Sequence, residues 1–174
     1  KNFSDYLSKT AEEIWDGEVS DVFPYQSGEG AKGTSGVVDA VTNGTNTIGY
    51  ADASKAGSLS IAKLKVGEEF VALSNESAAA IVDASPAVEG RDATDLAIKI
   101  DRATTAAGAY PLVLVSYLIG CNEYADPAVG ALVKAYASYL VSTDGQAHAA
   151  TSAGSAPLSA ALTAKVTAVI SAIK

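Results

Sequence analysis

Gly28-Glu-Gly-Ala-Lys-Gly-Thr-Ser-Gly36 is a glycine-dense stretch that runs into Val37-Val-Asp-Ala-Val41 and then Thr47-Ile-Gly-Tyr50. Glycines cluster where the backbone needs positive φ angles or must approach another group closely. A helix that starts beside such a loop presents unpaired N–H groups, which attract anions. Three interpretations therefore compete for this stretch: a nucleotide-binding loop, the loop of an anion receptor, and a structural turn.

The nucleotide interpretation rests on a glycine fingerprint. Gly28, Gly30 and Gly33 match the pattern G-x-G-x-x-G, and Asp52 lies about twenty residues further on, where a ribose-binding acid is expected. That fingerprint normally follows a central buried strand, whereas the short segment before this loop contains Pro24. Proline lacks the N–H that a central strand needs, so the segment fits an edge strand better. A nucleotide-binding enzyme that uses this loop is the alternative hypothesis.

The same stretch resembles the phosphate-binding receptors of bacterial phosphate ABC transporters. Three other parts of the chain resemble the same family in the same order. They are the helix Asn2-Phe3-Ser-Asp-Tyr6-Leu7 with Trp15 at its end, the strand Tyr110-Pro111-Leu-Val-Leu-Val-Ser-Tyr117, and the segment from Ala135 to Gln146. The resemblance spans nearly the whole chain, and the shared order and spacing are more specific than any single motif.

The resemblance implies an α/β fold like that of type II periplasmic binding proteins, in which two lobes hold the anion in the cleft between them. Residues 1–110 would form most of the second lobe. Residues 111–174 would cross back and pack helices onto the first lobe, whose sheet has no counterpart in this sequence. We therefore expect the apolar faces of the last two helices to be uncovered in this chain alone, with the missing N-terminal half of the receptor as their partner.

The phosphate ligands of the family have no counterpart among these residues. In the family, an Arg-x-Asp-x-Ser-Gly-Thr-Thr segment lies immediately before the helix that begins here at Asn2. This chain starts at Lys1, so the resemblance implies that the ligand-binding residues lie upstream of it and that none lies in this chain. Lys32 is a cation within the glycine loop, but lysine side chains are mostly solvated.

Composition argues against several classes of function. The net charge of −8 and the pI near 4.5 disfavour binding to nucleic acid or to anionic membrane surfaces. The sequence contains no methionine, nothing that resembles a signal peptide and no apolar run as long as a membrane span. An extracytoplasmic location, with a lipid anchor at the missing N-terminus as one option, is therefore an expectation from the resemblance. Cys121 is the single cysteine, so an internal disulfide is impossible.

Catalysis and metal binding find little support in the sequence. His148 is the only histidine and has no acidic neighbour, so a general base is not indicated. The common zinc sites need several His or Cys ligands. The pairs Glu12-Glu13 and Glu68-Glu69 are sequence neighbours that point to different sides of an element. We expect no enzyme activity, no catalytic residue, no metal site and no cofactor.

Hydrophobic periodicity predicts alternating helices and strands. Helices are predicted over residues 2–15, around residues 37–41 with Thr34 or Ser35 as N-cap, over residues 76–83 with Ser74 or Asn75 as N-cap, and after Pro127 and Pro157. Strands are predicted over residues 47–50, 60–66, 69–73, 96–100 and 112–119, with the second and third pairing across Gly67. The last of these is nearly continuous in apolar residues, which is typical of a strand buried on both faces.

The combined prediction is a receptor that binds inorganic phosphate and hands it to a membrane ABC permease. As the resemblance implies, the lobes would close over a desolvated phosphate held by N–H groups, hydroxyls and an arginine. A structural or adhesive surface module without a ligand is the third hypothesis.

Overall fold

The computed structural model describes residues 1–174, and it is mainly helical with one two-stranded sheet. The elements are α1 (Asn2–Thr10), α2 (Gly33–Asn43), β1 (Leu64–Val66), β2 (Glu69–Val71), α3 (Asn75–Ala84), α4 (Pro127–Val141), α5 (Thr143–Ala153) and α6 (Ala160–Ser171). Five of the six helices fall where the sequence predicts them, and α5 was not predicted. The predicted α/β class is realised with far fewer strands than expected. None of the helices combines the length and apolar content that crossing a membrane requires.

The first helix is shorter than predicted. The sequence predicts a helix over residues 2–15, but α1 ends at Thr10 and Ala11 takes a non-helical conformation. Residues 12–14 form a separate turn, closed by a hydrogen bond from the Trp15 N–H to the Ala11 carbonyl of 2.8 Å. The chain therefore leaves the axis of α1 before it reaches Trp15. The indole of Trp15 lies outside the helix that was predicted to include it.

A small hairpin forms the centre of the apolar core. Strands β1 and β2 pair antiparallel, with Leu64 opposite Val71, as the sequence predicts for a pairing across Gly67. Gly67 has φ +59°, and a two-residue hairpin loop favours glycine where φ is positive. Val66 and Val71 are buried together with Tyr110. The end of the predicted second lobe, at Tyr110, is thus anchored on the hairpin.

Helix α3 begins with a reciprocal hydrogen-bond cap. The Ser77 N–H donates to the Ser74 hydroxyl oxygen at 3.1 Å, and the Ser74 N–H donates to the Ser77 hydroxyl oxygen at 2.8 Å. Such a capping box satisfies two N–H groups that a helix start otherwise leaves unpaired. It also aims α3 so that Ile81 is fully buried.

Three predicted strands do not form. Residues 47–50 and 112–119 have no strand partner, and within residues 96–100 only Ile98 makes a single bridge, to Ala87. The prediction that residues 112–119 are buried on both faces is wrong for this chain, since Leu114 is 79% exposed and Ile119 is 92% exposed. A strand persists only where a neighbouring strand completes its hydrogen bonds, and no such neighbour flanks these residues.

The C-terminal helices pack on one another. Helix α4 buries Gly130 and Ala137 on the side that faces α6, and Lys134 Nζ donates to the Ser171 carbonyl at 2.6 Å. A lysine beside the C-terminal carbonyls of a helix also offsets the helix dipole. The predicted apolar stripe of α6 is therefore partly covered by α4, which the sequence analysis did not anticipate.

The opposite side of α4 carries an uncovered apolar face. Val129, Leu132, Tyr136 and Tyr139 recur at helical spacing and are all exposed. The sequence predicts uncovered apolar faces on both of the last two helices, and the structure shows an uncovered face on α4 while α6 is partly covered by α4.

We expect Ser74→Ala to lower the free energy of unfolding by about 1 kcal/mol, because the change removes the N-cap oxygen of α3. Urea denaturation followed by far-ultraviolet circular dichroism measures the difference. Ser60→Ala is the matched control, since Ser60 is exposed and its side chain makes no hydrogen bond. Equal effects of the two substitutions would show that the cap contributes nothing.

Candidate functional site at the start of α1

A buried arginine joins three segments that are distant in sequence. The Arg102 side chain is 7% exposed, and its Nη1 donates to the Pro111 carbonyl at 2.6 Å and to the Val113 carbonyl at 3.0 Å. Its Nη2 donates to the side-chain oxygen of Asn2, and its Nε donates to Asp5 at 3.3 Å. We refer to Asn2, Asp5 and Arg102 as the Arg102 cluster. It connects the first turn of α1 to the backbone that follows Tyr110.

Asn2 is held at both ends of its side-chain amide. The amide oxygen accepts from Arg102, and the amide nitrogen donates to the Val113 carbonyl at 2.7 Å. Asn2 is the first residue of α1, which has no side-chain cap of its own. The first-turn N–H groups of a helix lack partners within the helix and carry the positive end of its dipole. The Arg102 cluster therefore fixes the direction of an uncapped helix start, which is a favourable place for an anion.

Charge is balanced within the Arg102 cluster. Burial alone would raise the pKa of Asp5, but the hydrogen bonds and charges of Lys9, at 2.5 Å, and of Arg102 outweigh it, so this pKa lies below its usual value. Burial lowers the pKa of Arg102, and the neighbouring Asp5 carboxylate works against that effect. The guanidinium and the carboxylate are both charged near neutral pH.

An open cavity of about 300 Å³ lies beside the Arg102 cluster. Its wall includes the lysines Lys9 and Lys99 and the exposed side chain of Leu114. Tyr117 completes it, with a hydroxyl that accepts from the Ile98 N–H at 3.0 Å. The cavity thus lies between residues 98–100 and 114–117, which belong to two of the predicted strands that do not form.

The glycine loop lies apart from this cavity and faces open space. Gly28 and Gly33 have φ angles of +77° and +66°, yet a Cβ atom built on either, or on Gly30, would meet nothing within 4 Å. The predicted caps, Thr34 and Ser35, lie inside α2, because the helix already starts at Gly33. Glycine is needed in this loop for backbone conformation rather than for close approach to a neighbouring group.

The geometry that a dinucleotide requires is absent from this loop. No strand precedes it, so the strand–turn–helix arrangement of the fingerprint is not formed. Asp52 is engaged elsewhere, because its carboxylate accepts from the Ser54 N–H at 2.9 Å and from the Ser54 hydroxyl at 2.5 Å. These two hydrogen bonds hold the pKa of Asp52 below its usual value. Asp52 caps the short 3₁₀ turn Ala53–Lys55.

Five aromatic rings connect α1 to the two sides of the glycine loop. We refer to them as the aromatic cluster: Phe3, Trp15, Phe23, Tyr25 and Tyr50. Phe3 stacks on Tyr50 with ring centroids 4.3 Å apart, and Trp15 meets Tyr25 edge to face at 5.0 Å. The Tyr25 hydroxyl donates to Asp16 at 2.5 Å. This cluster anchors the Ile-Gly-Tyr segment without the strand that the sequence predicts there.

Gly49 explains why the glycine loop and the Ile-Gly-Tyr segment occur together. A Cβ atom on Gly49 would lie 2.9 Å from Val37 Cγ1 and 3.0 Å from Val41 Cγ2. These valines form one face of α2, which follows the glycine loop. The helix can pack against the backbone of residues 48–50 only because no side chain intervenes.

The remaining candidate residues are scattered. His148 lies on α5 and Cys121 lies before α4, and both are exposed. No three His, Cys, Asp or Glu side chains lie close enough together to hold a metal ion. Lys32 is exposed at the start of α2 and forms no ion pair. Sequence reasoning missed Arg102, because no motif marks an arginine whose partners are about 100 residues away.

Comparison with known protein families gives a match to the PBP superfamily domain over residues 2–144. The match covers α1 to the end of α4, and it therefore includes the Arg102 cluster and the aromatic cluster. The chain belongs to the PBP superfamily.

Three curated relatives of this PBP superfamily chain are mycobacterial proteins. Phosphate-binding protein PstS 3 of Mycobacterium leprae (strain TN) is 30% identical over 140 residues, which cover 78% of this chain and 38% of that protein. PstS 3 of Mycobacterium tuberculosis (strain ATCC 25618 / H37Rv) is 31% identical over 141 residues, with the same coverages. PstS2 of Mycobacterium bovis (strain BCG / Pasteur 1173P2) is 29% identical over 181 residues, covering 99% of this chain and 47% of that protein.

The chain thus spans less than half of the length of these relatives. No solved structure matches it. Membership of the PBP superfamily and the distant similarity to phosphate-binding proteins agree with the family that the sequence motifs indicate.

We expect Gly49→Ala to destabilise this PBP superfamily chain by about 1–3 kcal/mol, because the added methyl group overlaps Val37 and Val41. Gly30→Ala is the control, since its methyl group would meet nothing and its φ is not positive. Thermal unfolding followed by circular dichroism compares the two. A melting temperature of Gly49→Ala that matches wild type would mean that α2 does not pack on this glycine.

We expect the stability contributed by Asp5 to be present above pH 4 and to be lost as pH falls through its lowered pKa. The folded state favours the charged carboxylate relative to the unfolded chain, so protonation favours unfolding. Asp5→Asn should therefore lower the melting temperature at pH 7 and show a smaller further decrease between pH 5 and pH 3 than wild type. Asp39→Asn is the control, because its exposed carboxylate forms no ion pair. Parallel pH profiles for Asp5→Asn and wild type would contradict this expectation.

Proposed function

We propose that this chain is the second lobe, crossover and C-terminal helical part of a two-lobe extracytoplasmic receptor that binds inorganic phosphate for an ABC importer. The similarity to proteins named phosphate-binding proteins, over a region that includes the whole of the candidate site, is the observation that supports the proposal most. The function is binding, and no catalytic group is assigned.

The division of the chain near residue 110 is supported by the packing of the crossover, which begins at Pro111. The Tyr110 N–H donates to the Ser77 carbonyl at 2.9 Å, and Pro111 is fully buried. After Val113 the chain has no strand partner, and Leu114 is exposed. In our proposal, residues 1–110 form the second lobe and residues 111–174 extend from it toward the first lobe.

The first lobe is proposed to cover the two apolar surfaces that this chain exposes. These are the extended segment 114–119 and the outer face of α4. Strand partners from the first lobe would complete the hydrogen bonds of residues 114–119, as the nearly continuous apolar sequence there predicts. Each large aliphatic side chain buried in this way would contribute about 1.5–3 kcal/mol to association. The first lobe is the proposed partner whether it is part of the same polypeptide or a separate one.

The phosphate is proposed to lie at the start of α1. Its ligands would be supplied by residues upstream of Lys1 and by the first lobe, so this chain contributes the wall of the cleft rather than the ligating side chains. The start of α1 beside the Arg102 cluster supports this placement, because helix N-termini stabilise anions. The net charge of −8 does not oppose it, since local N–H groups and an arginine suffice to hold an oxyanion.

Calorimetric titration with inorganic phosphate tests the proposal. The chain alone should give no saturable heat, whereas the chain combined with its first lobe should bind phosphate with one site. Sulfate and ATP are the controls, and neither should bind in the same range. Saturable binding of ATP to the chain alone would instead support the nucleotide hypothesis. Absence of phosphate binding by the two-lobe protein would refute the proposal that it is a phosphate receptor.

We expect phosphate to raise the melting temperature of the two-lobe protein and to leave that of the isolated chain unchanged. A ligand that binds only the folded state adds about 2.7 kcal/mol of stability at a hundredfold excess over its dissociation constant. Differential scanning calorimetry with and without phosphate measures the shift. A shift for the isolated chain would place phosphate ligands within residues 1–174, contrary to the proposal.

A further inference from the structure

We propose that Arg102 is a positioning residue that locks the start of α1 to the crossover backbone at Val113, and so sets the phosphate affinity of the receptor. The inference rests on the proposed function, since α1 is the helix whose start would face the anion. Arg102 does not itself touch the ligand in this proposal. Its guanidinium is buried, and Nε, Nη1 and Nη2 all donate to groups of this chain.

Arg102 contacts both of the segments that it is proposed to lock together. On one side, it binds the side chains of Asn2 and Asp5 in the first turn of α1. On the other side, it binds the carbonyls of Pro111 and Val113 in the crossover. Asn2 also joins the two segments directly, because its amide nitrogen donates to the Val113 carbonyl at 2.7 Å. Val113 is thus held twice, and α1 cannot rotate relative to it without breaking these hydrogen bonds.

The planar shape of the guanidinium matters more here than its charge. Arginine presents five N–H donors in a fixed fork, so one side chain reaches two carbonyls, an amide and a carboxylate at once. Lysine has a single rotatable ammonium group, and it cannot reproduce these directions. A buried ion pair often contributes little net stability, so a geometric role accounts for Arg102 better than an energetic one.

The position of a pivot between the two lobes follows from where the contacts of this segment stop. Residues 110–113 are anchored by the hairpin core, by α3 and by Arg102. Immediately afterwards, Leu114 is exposed and residues 114–119 have no strand partner within this chain. A pivot between the lobes would therefore lie just after Val113. Because Arg102 holds α1 to Val113, the start of α1 and the pivot would move as one rigid body when the cleft closes.

Arg102→Lys in the two-lobe protein is the principal test. We expect phosphate to bind about tenfold more weakly or worse, because lysine cannot reproduce the fork of donors that holds the start of α1 to the crossover. Arg91→Lys is the matched control, since Arg91 is exposed and pairs only with Asp95 on its own segment. It should leave the affinity within about twofold of wild type. Affinities are measured by calorimetry at a temperature at which circular dichroism shows each variant to be folded.

Asn2→Ala is the second variant, and it keeps the proposal testable if Arg102→Lys fails to fold. It removes the bonds that Asn2 makes with Arg102 and with the Val113 carbonyl, so that only the bond from Arg102 to Asp5 still joins α1 to the crossover. It should weaken phosphate binding by a similar factor. The double variant should be little weaker than either single variant, because both changes break the same connection. Additive losses would overturn the proposal.

Amide hydrogen exchange in the isolated chain separates the structural claim from the functional one. Exchange of the Asp5 N–H, which donates to the Lys1 carbonyl at 2.9 Å at the start of α1, should accelerate in Arg102→Lys and Asn2→Ala, and not in Arg91→Lys. Faster exchange with unchanged phosphate affinity would mean a purely structural role and would overturn the proposal. Unchanged exchange in both variants would show that Arg102 and Asn2 do not hold α1 to the crossover. If the wild-type two-lobe protein binds no phosphate, the proposed function fails, and the role of Arg102 in affinity fails with it.

Discussion

A buried guanidinium must find partners for its N–H groups within the protein, and this requirement organises the centre of the molecule. Charged groups are removed from water only at a high cost in free energy unless they are paired and hydrogen-bonded. Arg102 meets the requirement by drawing together the start of α1 and the backbone that follows Tyr110. The hairpin lies on the other side of the same backbone. The N-terminal helix, the hairpin and the crossover are therefore positioned relative to one another through a single side chain.

Burial is sparse outside this centre. Only 14 of 174 residues are buried, and many large apolar side chains are exposed. A domain of this size normally buries about two thirds of the surface of its unfolded chain. Residues 114–119 and the outer face of α4 each carry a run of these side chains, and the others lie between Ile14 and Phe70. Contiguous apolar surface of this kind is characteristic of an interaction site, and it agrees with a PBP superfamily chain that spans less than half the length of its relatives.

Local signals in the sequence predicted the local structure well. The Ser74 cap, the turn at Gly67 and the positions of the helices follow from residue types within a few positions of each element. The strands over residues 47–50 and 112–119 were predicted wrongly, because strand formation depends on a partner that periodicity does not reveal. The family was predictable, since the order of several motifs carries that information. The Arg102 cluster was not, because its hydrogen bonds join residues about 100 positions apart.

The aromatic cluster has a spectroscopic consequence. Trp15 is the only tryptophan in the sequence, and its ring contacts Tyr25 at a centroid distance of 5.0 Å and Phe3 at 6.5 Å. Indole emission is sensitive to the polarity and packing around the ring, and tyrosines at such distances transfer excitation energy to it. Under excitation that is selective for tryptophan, the fluorescence of the chain therefore arises at the boundary between α1 and the segment that leads into the glycine loop. Any rearrangement of that boundary would be visible optically, without a label and without a competing signal from elsewhere in the molecule.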